Sequence, residues 1–242
     1  MSTFSTPNVV VSRCLGFDHC RYNGQIIAAP FVQKMRDHVN FTTVCPEVAC
    51  GLGVPRDFLR LVTVDGETRL LQPNAGLDHT QRMQAVVNSL LDDLTDVDGF
   101  ILKNRSPSCG FKDVKIYANA KKGAAASRGS GMFGGAVLDH YPNLAIEDEG
   151  RLNNFRIREH FLTQLYTLAA FRQVKATGQM KDLVQFQAEN KLLLMAYHQT
   201  ELRKMGRIVA NHDKRPFADV TTSSTYTLFL LPRPAARPTS TC

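Results

Sequence analysis

The 242-residue chain is 43% apolar and 21% charged, with a formal net charge of +7, a balance that suits a soluble globular protein with a real core. No stretch approaches the roughly 20 apolar residues of a membrane span, and residues 1–8 have neither a basic cluster nor an apolar secretory core, so the expected location is the cytoplasm. Six cysteines in a reducing compartment argue against a disulfide framework and for metal ligation, catalysis or buried thiols.

The β-branched run at residues 8–13 reads as a strand and empties into Cys14-Leu15-Gly16. Tyr22-Asn23-Gly24 has turn chemistry. Residues 30–39 have apolar positions at helical spacing after a proline. Phe41-Thr42-Thr43-Val44, a second strand, leads into Cys45-Pro46-Glu47. Gly51-Leu52-Gly53-Val54-Pro55-Arg56 forms a loop that brings a planar guanidinium forward. Residues 59–64 and 68–71, joined by Asp65-Gly66, read as a hairpin. A helix capped by Asp78 or Thr80 is expected to run to about Asp96. The apolar strand Gly99-Phe100-Ile101-Leu102 then empties into Lys103-Asn104-Arg105-Ser106-Pro107-Ser108-Cys109-Gly110. Beyond it lie a strand at 114–117, an Ala/Ser/Gly-rich stretch at 121–131 expected to be a flexible loop over the site, a short helix at 132–138 and a last strand at 143–146.

Glu147-Asp148-Glu149-Gly150 reads as an acidic break, after which the pattern turns helical. The predicted organisation is an α/β domain over 1–148, an open sheet with flanking helices, followed by an all-α domain over 149–220. One long helix is expected from Phe155 to Thr177, and a second from Met180 to Asn211 with Leu183, Val184, Phe186, Leu193, Leu194, Leu202, Met205 and Val209 on its core face. Residues 221–242 have no helical period and no carboxylate; a poorly ordered tail is expected there, which makes the helical domain look truncated. Residues 1–148 hold 15 Lys+Arg against 15 Asp+Glu, and residues 149–242 hold 14 against 7, so the charge excess lies wholly in the helical part. A basic module beside a neutral one suits a polyanion such as nucleic acid; a solvated, cation-rich helix surface is the bland alternative.

Cys14, Cys45 and Cys109 each end a strand, and strands of one sheet can bring such ends into one crevice. Three thiolates suit a 4Fe-4S cluster with one open iron, whereas structural zinc would want a fourth ligand. Without a CxxC pair the spacing is weak, and any one of these thiols could be packing. Cys20 and Cys50 are spare thiols or an alternative ligand pair, and Cys242 stands apart. Glu47 is a candidate base or an ion-pair partner of Arg56; Ser106 and Ser108 offer hydroxyls as proton donors or substrate holders. No histidine is spaced to pair with these motifs, which weakens a cysteine-hydrolase reading with Cys109 as nucleophile.

The three cysteine motifs, in this order over about residues 8–148, closely resemble the thiouracil desulfidase family, TudS. The helical part, around Leu183-Val184-Gln185-Phe186 and residues 191–207, resembles the YbgA-like domain fused to some members, and such fusions resemble tRNA 4-thiouridine desulfidases. The resemblance implies that Cys14, Cys45 and Cys109 hold a 4Fe-4S cluster with one open iron, that Glu47 is the acid/base and that Ser106 is a catalytic hydroxyl. Arg56, Arg105 and Ser108 are the expected substrate-binding residues. The implied reaction is a non-redox desulfuration of thiolated uracil, with 4-thiouridine in tRNA as substrate and uridine and hydrosulfide as products. The alternatives are a desulfidase of free thiouracil and a non-catalytic RNA-binding protein with zinc.

Overall fold

The computed structural model describes residues 4–121 and 123–222. The expected tail therefore lies outside the described residues, except that Thr221 and Thr222 close a helix. By backbone contacts the chain divides into a unit spanning Thr6–Phe161 and a second from Leu162 onward, joined by Phe4 and Ser5.

In chain order the first unit contains β1 (Asn8–Ser12), α1 (Pro30–Lys34), β2 (Asn40–Val44), α2 (Pro46–Ala49), β3 (Arg60–Val64), β4 (Glu67–Gln72), β5 (Leu77–Asp78), α3 (Thr80–Asp92), β6 (Gly99–Leu102), β7 (Val114–Tyr117), β8 (Ala126–Gly129), α4 (Met132–His140) and β9 (Ala145–Asp148). Four strands form a parallel sheet in the order β2-β1-β6-β9. Val9, Val10 and Val11 of the central β1 are buried on both faces, as a covered parallel strand requires. Met83, Val87 and Leu91, spaced by four on α3, are buried in a core that also holds Val10, Phe100, Phe133 and Ile146. The helix expected to reach Asp96 stops at Asp92, and the one expected over 30–39 keeps regular form only to Lys34.

A second, mixed sheet stands beside the expected one, in the order β5-β4-β3-β7-β8. The β3–β4 hairpin turns through Asp65 and Gly66, both at positive φ as a tight hairpin demands. Here the stretch expected to be a flexible loop is corrected: Ala126–Gly129 pairs antiparallel with β7 as an edge strand. Its Ala, Ser and Gly have little intrinsic preference for strand, so the pairing with β7 decides. The acidic break is also corrected, because Glu147 and Asp148 end β9 and are buried. Both are satisfied locally: Arg151 Nε donates to Glu147 Oε2 at 2.7 Å, and the Arg151 amide donates to Asp148 Oδ1 at 2.8 Å. Burial still pushes the Asp148 carboxyl above the usual carboxylate range.

A 3₁₀ turn at Arg151–Asn153 leads to α5 (Phe155–Thr177), α6 (Met180–Glu189), α7 (Lys191–Ala210) and α8 (Phe217–Thr222). The long second helix is thus two, broken at Asn190, whose side-chain amide donates to the Phe186 carbonyl at 2.9 Å. Leu183, Phe186, Leu194, Leu202, Met205 and Val209 are buried as expected. Val184 is corrected: at 49% exposure it faces away from the side on which Leu183, Phe186 and Gln187 are buried. No helix among the described residues is long and apolar enough to cross a membrane.

Candidate functional site

The parallel sheet aligns three strand ends. Ser12 stands opposite Val44, and Val11 opposite both Thr43 and Ile101, so β2, β1 and β6 empty side by side at one edge of the sheet. That is where open α/β sheets build their sites. Cys14, Cys45 and Cys109 follow these strands and line one cavity of about 300 Å³ together with Cys20, Glu47, Arg56, Arg105 and Ser106, a size at the lower end for small-ligand sites.

The loop carrying Cys109 is held from two sides. Ser106 Oγ accepts the amides of Ser108 at 3.2 Å and Cys109 at 3.1 Å, a hydroxyl-centred turn of the kind serine favours. The first residues of α4 then grip the same loop, with the amides of Met132 and Phe133 donating to the carbonyls of Pro107 and Ser108 at 3.1 and 2.9 Å. Glycine is required at that contact, since a Cβ on Gly134 would lie 2.4 Å from the Gly110 carbonyl oxygen and 2.6 Å from that of Cys109.

Glu47 sits in the first turn of α2, directly after Cys45 and Pro46. The buried Ser108 hydroxyl donates to its Oε1 at 2.9 Å, and Arg56 Nε donates to its Oε2 at 3.0 Å. A second Arg56 nitrogen also reaches Oε2, making a close ion pair in which the Arg56 and Glu47 side chains are only 5% and 14% exposed. The same guanidinium donates to the carbonyls of Gly53 at 3.1 Å and Cys20 at 3.2 Å, tying the Gly-rich loop to the segment after Cys14. Arg56 is thus engaged inside the protein, whereas Arg105 is exposed at the mouth. Lys103 bridges to Glu149 at 2.5 Å, closing the side of the site towards β9.

The two spare thiols separate. Cys50 is fully buried in the core among Val10, Met83 and Val87 and does not line the cavity. Cys20 lines it and hydrogen-bonds with Cys14 and Cys45; the bond with Cys14 leads in pushing its thiol up to about 11. Hydrogen bonding with Cys20, followed by burial, drives Cys45 strongly upward; burial does so for Cys109 against opposing hydrogen bonds from Ser12 and Ser106. Losing these protons requires a nearby cation to replace them, the service a coordinated metal performs for thiolates. Four thiols, Cys14, Cys20, Cys45 and Cys109, line the one cavity. Such soft sulfur donors suit an iron-sulfur cluster by the chemistry of the donor set. Among the described residues no histidine lines the cavity beside Cys109.

Sequence reading left Cys20 undecided and did not connect Ser108 to Glu47. The turn at Gly16, with φ +89, helps carry the chain from Cys14 round to Cys20, a return that a glycine between two nearby thiols could have signalled.

Comparisons with known proteins converge on the same segment. The family model described as 2-thiouracil desulfurase matches residues 9–149, and one described as a protein of unknown function, DUF1722, matches residues 191–240. A solved structure of the 4Fe-4S-dependent thiouracil desulfidase TudS is 26% identical, with a TM-score of 0.50, and the match covers 63% of this chain and 97% of that one. The uncharacterized protein YbbK of Bacillus subtilis (strain 168) is 31% identical over 109 residues, 42% of this chain and 72% of the relative. The first match spans more than half of the chain and includes every cavity residue from Cys14 to Cys109, and on that basis the chain belongs to the 2-thiouracil desulfurase family.

Proposed function

We propose that the protein is a cytoplasmic, iron-sulfur-dependent desulfidase of thiolated uracil, with 4-thiouridine in tRNA as its substrate. In this reading residues 1–148 form the catalytic domain and residues 149–220 a YbgA-like helical domain whose basic excess serves the RNA. The observation that carries the reading is Glu47, held by Ser108 and Arg56 at the wall of a cavity lined by four thiols.

Cys14, Cys45 and Cys109 would hold a 4Fe-4S cluster with one iron free of protein. When bound, the cluster supplies a Lewis acid with affinity for sulfur. The chain's own groups handle water and protons. Arg56 anchors Glu47 Oε2 and Ser108 fixes the direction of its Oε1, so the carboxylate is held in one orientation at the cavity wall. Glu47 takes a proton from water as the water oxygen bonds to the ring carbon. The carbon-sulfur bond breaks, Glu47 returns that proton to the departing sulfur, which leaves as hydrosulfide, and the new hydroxyl loses its proton to solvent to give the carbonyl. Carbon, sulfur and oxygen keep their oxidation states, so no electron carrier is needed. Ser106 Oγ accepts two amides and its hydroxyl hydrogen-bonds the Cys109 thiol, so it is the proton-bearing group next to that sulfur at the cavity wall. Arg105, at the mouth, is placed to meet the pyrimidine or an adjacent phosphate.

The test is anaerobic reconstitution with iron and sulfide followed by incubation with 4-thiouridine-containing tRNA. Loss of the thiouridine absorbance supports the proposal. Consumption of free thiouracil with the tRNA unchanged would make the free base the substrate, and zinc without iron in the protein as isolated would overturn the reading.

A further inference from the structure

A second cavity, of about 540 Å³, lies on the mixed sheet and shares Arg105 and Pro107 with the thiol cavity. Its floor carries a row of cations. Lys115 on β7 stands opposite Arg128 on β8, and the pairing of Leu61 with Ile116 places Arg60 of β3 beside Lys115 on the other side. Three cations thus sit side by side on adjacent strands and line the same groove. Like charges placed directly across a sheet oppose one another. One carboxylate is at hand, Asp113, at 3.7 Å from Arg128, and both partners of that pair are more than half exposed. Arg60 is held between two rings, at 5.0 Å from the Phe58 centroid and 4.8 Å from that of Tyr117. Residues 1–148 have no net charge, so this row is a local concentration and not a reflection of the average.

We infer that the Arg60–Lys115–Arg128 row binds the sugar-phosphate strand of an RNA whose thiolated base enters the thiol cavity beside Arg105. The inference rests on the desulfidase reading for the base and on the groove alone for the strand. Strand spacing makes the row about 10 Å long, more than one phosphate can cover. A basic track beside aromatic rings is also the general form of single-strand binding sites. Base and strand are then recognised at adjoining sites, with Arg105 common to both.

Fluorescence anisotropy of the full-length protein without cluster, using a labelled single-stranded oligouridylate with one 4-thiouridine, tests the groove independently of catalysis. Lys115→Ala/Arg128→Ala, two changes at exposed positions, should weaken binding about tenfold and flatten the slope of log K against log salt by about 1.4, at about 0.7 per lost phosphate contact. With reconstituted enzyme the variant should show a raised KM for the oligonucleotide and an unchanged kcat/KM for free thiouracil. Unchanged affinity and slope overturn the inference, as does an equal loss on free thiouracil or competition by uridine monophosphate as strong as by the oligonucleotide. A wild-type enzyme that desulfurates neither substrate would defeat the desulfidase reading, while the anisotropy series still decides whether the row binds RNA.

Discussion

The Ser108 hydroxyl donates to Glu47 Oε1 at 2.9 Å, linking the loop after β6 to the first turn of α2. Ser108 is fully buried, so its hydrogen bond aims the carboxylate without competition from water. Ser108→Ala should lower kcat about 10- to 100-fold, the worth of one hydrogen bond to a charged group. Iron content and visible spectrum should stay as in wild type, because the Cys109 amide is held by Ser106 instead. Wild-type kcat in this variant would show that Ser108 has no part in orienting Glu47.

Glu47 and Arg56 are expected to fail in different ways. Glu47→Gln removes the base, so kcat should fall at least ~100-fold. Its amide oxygen can still accept from Arg56, which keeps the Cys20 and Gly53 carbonyls, so the melting temperature should drop less than in the Arg56 variant. Arg56→Met leaves the carboxylate without its cation and the Cys20 and Gly53 carbonyls without their donor. Breaking such a buried pair costs about 3–5 kcal/mol, roughly 10 °C in a chain of this size. Thermal melts of the two variants check the contrast; equal melting temperatures would remove Arg56 as the structural anchor.

The strands that carry the three cysteines were legible because each is a short apolar or β-branched run ending in turn chemistry. Their convergence depends on the order β2-β1-β6, which no single run encodes. Strand β8 was illegible because Ala126, Ser127 and Gly129 gain their conformation from β7. Glu147 and Asp148 misled for a related reason: carboxylates read as surface until Arg151 supplies their partners. The pairing of Ser108 with Glu47 spans 61 positions and arises only when the loop after β6 and α2 meet.

The contact between Gly134 and the Cys109 loop gives a test that leaves every thiol in place. Gly134→Ala would bring a methyl within 2.6 Å of the Cys109 carbonyl oxygen and 2.4 Å of the Gly110 one. Backbone on both sides must move, at a cost of about 1–3 kcal/mol. The variant should incorporate less iron per protein than wild type; full iron content would show that the loop can shift without disturbing Cys109.

Asp148 sets a pH signature for the fold. Burial raises its folded pKa above the unfolded value, so the folded state binds the extra proton as pH rises past the ordinary carboxylate range. Its contribution is favourable when protonated and is lost as pH rises through the folded pKa. Asp148→Asn cannot ionise and its carbonyl can still accept the Arg151 amide, so it should melt higher than wild type at pH 7, with the gain vanishing in acid below the unfolded pKa. Parallel melting curves at every pH would mean that Asp148 is not strained by its burial.

The thiols themselves make the sharpest division. Cys14, Cys45, Cys20 and Cys109 share one cavity, whereas Cys50 packs in the core against apolar side chains. Serine at 14, 45 or 109 should each abolish the broad charge-transfer band of the reconstituted protein and reduce bound iron, because a hydroxyl is a poor ligand for this soft site. Cys50→Ala removes only a small buried group and should keep iron at the wild-type level while lowering the melting temperature slightly. Cys20→Ser decides between two ligand sets. If it retains iron while the other three lose it, Cys20 is a bystander thiol. If it loses iron and Cys14→Ser does not, the ligand facing Cys45 is Cys20, and the assignment of Cys14 is wrong.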